Sequence, residues 1–382
     1  MTVIAHSGLQ WLGFGIAACA MLYAMVAWVA VGTRLPGSHF RPSDLPPVTI
    51  LKPLCGAEAE TYECLRSFCN QEYREFQVIF GVCDAQDPAV AVVNRLQREF
   101  PLRDLQIAVD RRQHGSSRKV SNLINMMPLA QHDFLVLSDS DVKVKRDYLA
   151  KVVAPLLEDG VGIVTCAYRG CPRGGVWSML GSLFINEWFA PSVRVAALAG
   201  SRAFAFGATI AIRRRVLTAI GGLASIVDQL ADDYRLGELT RRQGLRTVLS
   251  DVVVEVCVAE RSLGELMRHE LRWLRTIRAL RPVGYGLSFV TFGVPVAVLG
   301  TLLAGCAAPA VGMLALTGLA RVTLHLSTRV PSSNRLQLLI LPLRDVLSLG
   351  LWVWSFATRR VYWREGLYRV TRDGSVQLIA RT

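Results

Sequence analysis

Hydrophobic and polar positions divide the chain into apolar stretches near both ends and a mixed region between them. The first stretch, residues 8–32, contains no charged residue. A helix of this length, at ~1.5 Å per residue, crosses a ~30 Å hydrocarbon core. The first positive charges, Arg34 and Arg41, follow the stretch, which favours a retained anchor with a cytosolic C-terminal end over a cleaved signal peptide.

Two further apolar stretches lie near the C-terminus. Residues 283–320 carry no charge, and the turn-forming sequence at 305–309 predicts two spans joined by a turn. Residues 336–358 contain Pro342 and the Arg344-Asp345 pair, and such a pair is costly in lipid unless it has partners. Spanning, re-entrant and flat arrangements all fit this last stretch. The number of crossings and the side of the C-terminal tail therefore stay open.

The mixed region between residues 46 and 261 alternates short β-rich runs with helical patterns. This alternation predicts an α/β domain with a largely parallel sheet covered by helices. The predicted strands cover residues 48–51, 77–83, 105–109, 134–137 and 162–165. The predicted helices, with apolar residues at three-to-four spacing, cover residues 58–70, 88–100, 120–127 and 148–157.

Composition and charge limit the class of protein. With 52% hydrophobic and 19% charged residues among 382, the chain has room for one soluble domain beside several apolar spans. The net charge of +13 is partly explained by a basic run before the second apolar stretch, which indicates a cytosolic flank and not a nucleic-acid partner. That run contains Arg268, Arg272, Arg275, Arg278 and Arg281.

Cysteine spacing and glycine motifs narrow the chemistry further. The nine cysteines form no CxxC pair and no His/Cys ligand pattern, so neither zinc nor a disulfide framework is indicated and reduced thiols are expected. The GxGxxG and GxxxxGK[ST] phosphate loops are absent. The chain is predicted to consist of an anchor (1–33), a cytosolic domain (46–261), an Arg/Trp juxtamembrane helix (262–282), membrane segments (283–360) and a basic, aromatic tail (361–382).

Acidic residues follow two of the predicted strands, where ligands bind in open α/β sheets. Asp139 and Asp141 come directly after the fourth strand and can direct oxygen ligands at a Mg²⁺ or Mn²⁺ ion that also bridges a diphosphate. A capping cluster before the next helix is the alternative. Asp84 follows the second strand and either accepts hydrogen bonds from a nucleotide or caps the following helix.

Three further motifs lie outside these strand ends. Lys119 opens a short helix, where it can meet phosphate charge; a solvated basic loop is the alternative. Asp232 or Asp233 can act as a general base, although adjacent carboxylates repel and a helix cap looks similar. Arg272 can clamp phosphate and Trp273 can line the pocket, whereas a juxtamembrane anchor would use the same residue types.

These motifs follow one another in a fixed order along the chain. The series is Leu51-Lys52-Pro53-Leu54, Asp84, Lys119-Val120-Ser121-Asn122-Leu123, Asp139-Ser140-Asp141, Asp232-Asp233, Arg272-Trp273 and Trp363-Arg364-Glu365-Gly366-Leu367-Tyr368-Arg369. It resembles the ceramide glucosyltransferase-like family over nearly the whole chain. Within the family the chain is most similar to the bacterial hopanoid branch, which attaches N-acetylglucosamine to bacteriohopanetetrol, especially at residues 189–192, 206–209, 230–237 and 269–273.

The resemblance implies a GT-A fold, a UDP-sugar donor, a divalent cation and inversion at the anomeric carbon. It assigns nucleotide or diphosphate contacts to Lys52, Asp84, Lys119, Asp139, Arg272 and Trp273, and the catalytic base to Asp233 beside Asp232. Two positions depart from the family pattern. Asp141 stands where some ceramide-type members have glycine, and His269 replaces a Gln or Arg.

The leading hypothesis is a multi-pass protein of the bacterial inner membrane, with a cytoplasmic catalytic domain, that transfers one sugar from a UDP-sugar to a membrane lipid hydroxyl. The expected acceptor is a hopanoid with N-acetylglucosamine as donor sugar, and the alternative is ceramide with glucose. A processive polysaccharide synthase would need more membrane helices than the sequence offers. A noncatalytic membrane protein that binds anionic lipid through its basic face is the hypothesis from a different class.

Overall fold

The computed structural model describes residues 2–33, 45–328, 337–363, 366–371 and 374–381. Arg34, Arg41, Arg364 and Glu365, on which some of the sequence predictions rest, lie outside these ranges. Within them the chain forms a central α/β domain, a group of apolar helices drawn from both ends, and a small C-terminal sheet.

The central domain is built on a mixed, mainly parallel sheet. Its strands are β1 (Val48–Pro53), β2 (Phe76–Val82), β3 (Asp104–Val109), β4 (Phe134–Leu137), β5 (Val142–Lys143), β6 (Val161–Pro172), β7 (Ile210–Arg213) and β8 (Arg246–Val258). They lie in the order β3-β2-β1-β4-β7-β6-β8-β5. The first four are parallel, and β7 runs antiparallel between β4 and β6. All five predicted strands are confirmed, whereas β5, β7 and β8 were not predicted.

Alternating side chains of the central strands point to two hydrophobic cores, one on each face of the sheet. Val78 and Phe80 of β2 belong to one core, and Ile79 between them belongs to the other. All three are fully buried, which is why these strands read as continuous apolar runs instead of polar-apolar alternation. The covering helices are α2 (Thr61–Cys69), α3 (Pro88–Glu99), α4 (Arg118–Met126), α5 (Tyr148–Val153), α6 (Val176–Phe184), α7 (Ala190–Leu198), α8 (Arg214–Ala219) and α9 (Asp232–Arg242).

The apolar helices at the two ends of the chain pack together. They are α1 (Thr2–Gly32), α10 (Leu263–Leu280), α11 (Pro282–Leu287), α12 (Gly293–Leu303), α13 (Ala308–Thr328) and α14 (Gln337–Ser355). Of these, α1, α13 and α14 are long and apolar enough to cross a membrane. The predicted turn near residue 305 is confirmed between α12 and α13. The first of the two predicted spans is bent by 77° between residues 291 and 293, which makes it a broken span or a re-entrant segment.

Close contact between small residues joins α1 to α12. A Cβ atom built on Gly300 would lie 2.6 Å from the backbone nitrogen of Ala17, and one built on Gly13 would lie 2.4 Å from that of Ala304. Only residues without a side chain let two helix backbones approach this closely. Gly293, at the other end of α12, lies near Ala20 and Ala24, so the two helices are antiparallel.

Helix α14 continues through Pro342, and its charged pair has partners. Arg344 donates to Glu270 of α10 at 2.7 Å, and Asp345 accepts from Arg321 of α13 at 2.8 Å. These ion pairs offset the cost of placing charge among apolar helices. Leu341 packs with Leu266 near the start of α10. The Ser355 carbonyl accepts a hydrogen bond from Arg278 near the end of α10. Helix α14 therefore runs alongside α10, which leads from the central domain to the apolar helices.

The C-terminal tail returns to the central domain. Its antiparallel strands β9 (Arg360–Trp363), β10 (Gly366–Val370) and β11 (Val376–Arg381) form a separate sheet. The Val376 amide donates to the Asp228 carbonyl at 3.2 Å, and the Leu230 amide donates to the Gly374 carbonyl at 3.1 Å. The tail and the central domain therefore lie on the same side of any membrane. Arg275 also holds the Arg360 carbonyl at 2.8 Å, so the basic run is more than a charged flank.

The contact between α1 and α12 yields a stability prediction. A Gly300→Leu substitution forces the two backbones apart, and we expect a loss of at least about 2 kcal/mol. The measurement is the thermal midpoint of the detergent-solubilised protein, which should fall by several degrees. Gly15→Leu is the matched control, because a Cβ at Gly15 meets nothing within 4 Å. Equal midpoints for the two variants would contradict the close packing.

Candidate active site

Buried groups beneath the turn after β4 hold its backbone in place. The Ser138 hydroxyl donates to the Ala208 carbonyl at 2.8 Å, and the Ser138 amide donates to the Leu51 carbonyl at 3.2 Å. The Lys52 ammonium donates to the Asp139 carbonyl and lies 3.7 Å from the centre of the Phe68 ring. Lys52 is fully buried, and burial lowers its pKa to about 8. Lys52 therefore supports the turn from beneath. The predicted contact between Lys52 and the nucleotide stays a prediction.

Carboxylates distant in sequence meet above this turn. The Lys119 ammonium lies 2.6 Å from Asp139 Oδ1 and 3.6 Å from Asp232 Oδ2. Asp233 Oδ2 accepts from the Gly207 amide at 2.8 Å, while its Oδ1 accepts from the Tyr234 amide at 2.7 Å. The four carboxylates Asp139, Asp141, Asp232 and Asp233 are called the acidic centre below. Lys119 thus lies among carboxylates, and the alternative prediction that it belongs to a solvated basic loop is wrong.

Burial and the crowding of like charges both act on the pKa values of the acidic centre. Burial, followed by repulsion from Asp139, raises the pKa of Asp141 to about 6. Burial, followed by repulsion from Asp232, raises the pKa of Asp233 to about 6. Burial opposes the charge of Lys119, but Asp139 and Asp232 outweigh it and raise the lysine pKa above its usual range. The site therefore holds more negative charge than its lysine offsets.

Arg272 and Trp273 both lie at this site. Arg272 lies on the side of the carboxylates, and Trp273 lies among aromatic rings. Burial lowers the pKa of Arg272, although Asp232 and Asp233 attract its guanidinium. That guanidinium forms no ion pair or hydrogen bond within the described part of the chain. The Trp273 ring lies 6.2 Å from that of Phe184 and 6.4 Å from that of Phe189. Helix α10 is therefore part of the site, and the anchor interpretation accounts for only some of its residues.

His269 opens the Arg272-Trp273 motif and is held by an acidic neighbour. Its Nδ1 lies 2.7 Å from Glu260 Oε1, and its ring meets Trp273 edge-on with centroids 4.6 Å apart. The pair positions one side of Trp273. Because Nδ1 is engaged by a carboxylate, any contact with a diphosphate would have to use the other ring nitrogen.

Asp84 lies at the same edge of the sheet, two strands away from β4. Its carboxylate accepts from the Gln86 amide at 3.0 Å and pairs with Arg111 at 2.6 Å, and both bonds lower its pKa. The alternative that Asp84 caps the next helix is wrong. Asp87 caps α3 by accepting from the Ala89 amide at 2.8 Å, ahead of Pro88 at the first helical position.

Two residues of the site were not predicted from the sequence. Gly207 lies over the acidic centre: a Cβ built there would be 3.2 Å from Lys119 Nζ, 3.3 Å from Asp139 Oδ2 and 3.5 Å from Asp233 Oδ2. Tyr168 of β6 is half-buried, and burial followed by the Asp233 charge raises its pKa. Gly207 lies in the resembling stretch 206–209, but it acts through its backbone, so the sequence assigned it no role. Tyr168 lies within an apolar strand and carries no sequence signal of its own.

The sheet order of the central domain, with its acidic turn after β4, is that of the GT-A fold. The chain is similar to the mannosyltransferase PcManGT from Pyrobaculum calidifontis, solved with GDP-Man and Mn²⁺. The TM-score is 0.55 at 17% identity, over 91% of this chain and 98% of that one. The predicted fold class is confirmed.

The family assignment comes from the sequence profile. The profile of glycosyl transferase family 21 matches residues 12–376, and the chain belongs to that family. It is 23% identical over 275 residues to ceramide glucosyltransferase 3 of Caenorhabditis elegans, a match that covers 71% of this chain and 59% of that protein. A ceramide glucosyltransferase of Komagataella phaffii is 31% identical over 119 residues, or 30% of this chain and 23% of that protein.

The chain spans a little over half the length of the Caenorhabditis elegans relative that it matches. The predicted resemblance to the ceramide glucosyltransferase-like family is confirmed by these matches. The finer similarity to the hopanoid branch is tested by none of them and stays a prediction.

Gly207 offers a test of the acidic centre that leaves every charge in place. In Gly207→Ala the methyl group enters the space among Lys119, Asp139 and Asp233, and displacing these groups should lower activity by about 10–100-fold. Steady-state transfer rates together with a thermal midpoint separate this effect from unfolding. Gly175→Ala is the control, because its Cβ meets nothing within 4 Å. Unchanged kinetics in Gly207→Ala would show that the three groups do not act together.

Proposed function

We propose that this protein transfers a single sugar from a UDP-sugar to the hydroxyl group of a membrane lipid, with inversion at the anomeric carbon. The observation that carries the proposal is the gathering of Asp139, Asp233, Lys119 and Arg272 at the sheet edge, beside helices apolar enough to enter a membrane. The names of its relatives favour ceramide as acceptor and glucose as sugar. N-acetylglucosamine transfer to a hopanoid stays a prediction.

Asp233 is the proposed general base. Two backbone amides orient its carboxylate, and its pKa of about 6 suits proton abstraction near neutral pH. Asp233 takes the proton of the acceptor hydroxyl as that oxygen bonds to the anomeric carbon. The bond from this carbon to the diphosphate oxygen breaks, and its electron pair leaves with UDP. Asp232, which lies closer to Lys119, contributes to the charge that sets the pKa of Asp233.

Arg272 and Lys119 are proposed to stabilise the leaving diphosphate. Arg272 has no partner among the described residues, and its planar guanidinium suits bidentate contact with phosphate oxygens. Lys119 is bound to Asp139 and would share its charge between that carboxylate and the diphosphate. Asp84, at the end of β2, is proposed to contact the nucleotide, and Trp273 to line the acceptor side.

Asp139 and Asp141 are the residues that would hold Mg²⁺ or Mn²⁺. The described residues contain no group of three His, Cys, Asp or Glu side chains arranged around a metal, so diphosphate oxygens would have to complete the coordination. The raised pKa of Asp141 fits such an ion, because a cation would relieve its repulsion from Asp139. When bound, the ion supplies positive charge to the departing diphosphate.

We place the protein in a membrane, with the central domain on the side reached by the C-terminal end of α1. Three helices of sufficient length, the basic run of α10 and the return of the tail support this arrangement. The cytoplasmic face of a bacterial inner membrane is the proposed location.

A transfer assay tests the proposal and its substrates together. Membranes containing the protein receive UDP-glucose or UDP-N-acetylglucosamine with ceramide, diacylglycerol or bacteriohopanetetrol, and mass spectrometry identifies the product. We expect one sugar on one lipid, and a fall of about 10²–10⁴-fold in Asp233→Asn and Asp139→Asn. Asp133→Asn is the control, since that side chain is 88% exposed. A polymeric product would contradict single transfer, and equal background turnover in all variants would favour a noncatalytic protein.

The pKa values predict how activity depends on pH. Asp233 acts as a base only when deprotonated, so kcat/KM should rise with pH and level off above an apparent pKa near 6. Asp141 titrates in the same range, but its contribution should shift when the metal concentration is raised. Rate profiles from pH 5 to 8 at two metal concentrations distinguish the residues. An acidic limb that is the same in Asp233→Asn would exclude this base.

A further inference from the structure

A cavity that is partly open to its surroundings lies among the apolar helices, away from the acidic centre, and about 600 Å³ of space, the open part included, is free of protein atoms there. Its walls come from α1, α13, α14, the chain between α6 and α7, and the bend before α12. Residues from the two ends of the chain therefore meet around one space. This space is called the interhelical cavity below.

The depth of the interhelical cavity suits the boundary between head groups and hydrocarbon. Its α1 lining includes Tyr23 and Ala27, while α1 ends at Gly32. At 1.5 Å per residue these positions lie about 8–14 Å from the domain end of the helix. Apolar side chains, including Leu183 and Leu324, make up much of the remaining wall. An amphiphilic molecule entering sideways from the bilayer would place its polar end at this level.

Arg344 provides the polar feature of the cavity that points to a ligand. It lines the cavity, and only 2% of its side chain is exposed. Nη2 donates to Glu270 Oε2 at 2.7 Å, whereas Nε and Nη1 have no hydrogen-bond partner among the described residues. Buried N–H groups of a guanidinium without acceptors are costly, and an oxygen of a bound molecule would remove that cost.

The charges around the interhelical cavity indicate whether the oxygen of a bound molecule is charged or neutral. Arg321 is shared by Glu187 and Asp345, and Arg344 is paired with Glu270. Each described guanidinium in the cavity wall therefore faces at least one carboxylate already. No excess positive charge is left for a phosphate group, while an uncharged carbonyl or hydroxyl oxygen can accept from Nε or Nη1.

An unusual backbone segment and a series of aromatic rings link the cavity to the acidic centre. Residues Ile185–Phe189 form a π-helical turn, a feature common at functional sites, and its Glu187 and Trp188 line the cavity. Neighbouring rings then contact one another from the cavity wall toward the Asp233 side, with centroids 4.6 to 6.4 Å apart, in the order Trp188, Phe184, Trp273, Phe189 and Tyr168.

We propose that the interhelical cavity is the binding site of the acceptor lipid, an amphiphile with an uncharged head region, one of whose non-reacting oxygens accepts from Arg344. The proposal rests on the lipid-transfer function given above. The lipid enters between the apolar helices. Its head region extends along the aromatic rings, so that the reacting hydroxyl reaches the acidic centre. Anionic phospholipids are disfavoured because the guanidiniums in the cavity wall are already paired.

Photolabelling of the full-length protein in nanodiscs tests the site without any substitution. The probe is a ceramide with a diazirine in its acyl chain, and labelled peptides are identified by mass spectrometry. We expect label at residues 291–294 and 317–324, removed by excess unlabelled ceramide but not by phosphatidylglycerol. Label confined to outward-facing positions, or equal competition by phosphatidylglycerol, would overturn the proposal.

Two substitutions and one control add a kinetic test. Ala320→Phe fills the cavity from α13, and should raise the KM for lipid by about tenfold while leaving the KM for UDP-sugar unchanged. Leu319 lies on the same helix but is 60% exposed, so Leu319→Phe should change neither KM. Arg344→Lys keeps a cation beside Glu270 but removes the unpaired N–H groups, so it should also raise the lipid KM.

Failure of this proposal differs from failure of the proposed function. If the wild-type protein transfers sugar and both Ala320→Phe and Arg344→Lys keep its lipid KM, the cavity is not the acceptor site, and the transferase function stands. If no lipid is glycosylated, yet the cavity is labelled and Ala320→Phe abolishes that label, a neutral-lipid site exists but its lipid is not an acceptor. Weaker labelling together with a higher lipid KM in Ala320→Phe, with normal folding and an unchanged KM for UDP-sugar, supports the proposal.

Discussion

The ion pair between Lys119 and Asp139, 2.6 Å apart, is the interaction on which the site depends. Four carboxylates from two parts of the chain lie around one edge of the sheet, and buried like charges that are neighbours repel one another or become protonated. Lys119 reduces that repulsion, and Gly207 leaves room for it. Burial, and after it the repulsion that remains, raises the pKa values of Asp141 and Asp233. In the proposed reaction the negatively charged donor needs a cation to offset this repulsion. A metal ion held by Asp139 and Asp141 would supply that positive charge to the diphosphate.

Helix α10 connects this charged edge to the apolar helices and the tail. Arg272 faces the acidic centre, Glu270 pairs with Arg344 of α14, and Arg275 holds the C-terminal segment. Three residues within two turns of one helix thus contact three parts of the molecule. The proposed lipid site in the interhelical cavity and the proposed nucleotide site at the sheet edge both border this helix and its aromatic neighbours.

The apolar helices are held by two different kinds of contact. Gly13 and Gly300 let α1 and α12 approach to backbone contact, where dispersion forces act over many atoms. Nearer the central domain, Arg321 and Asp345 form an ion pair that is protected from water. These contacts account for the charged pair in α14, which had no explanation while its partners were unknown.

Local patterns in the sequence were enough to identify five of the eight strands, four of the eight covering helices, the apolar stretches and the acidic turn. Hydrophobic period and turn-forming residues act over only a few positions, so a local pattern records them. Local patterns also placed Asp139, Asp233 and Arg272 in an order that resembles a known family. Folding alone brought Lys119 to Asp139, set Gly207 above them and closed a cavity between α1 and α14. These features depend on contacts between residues that are distant in sequence, and no local pattern records which backbone will approach which side chain. The bend before α12 and the partners of Arg344 were hidden for the same reason.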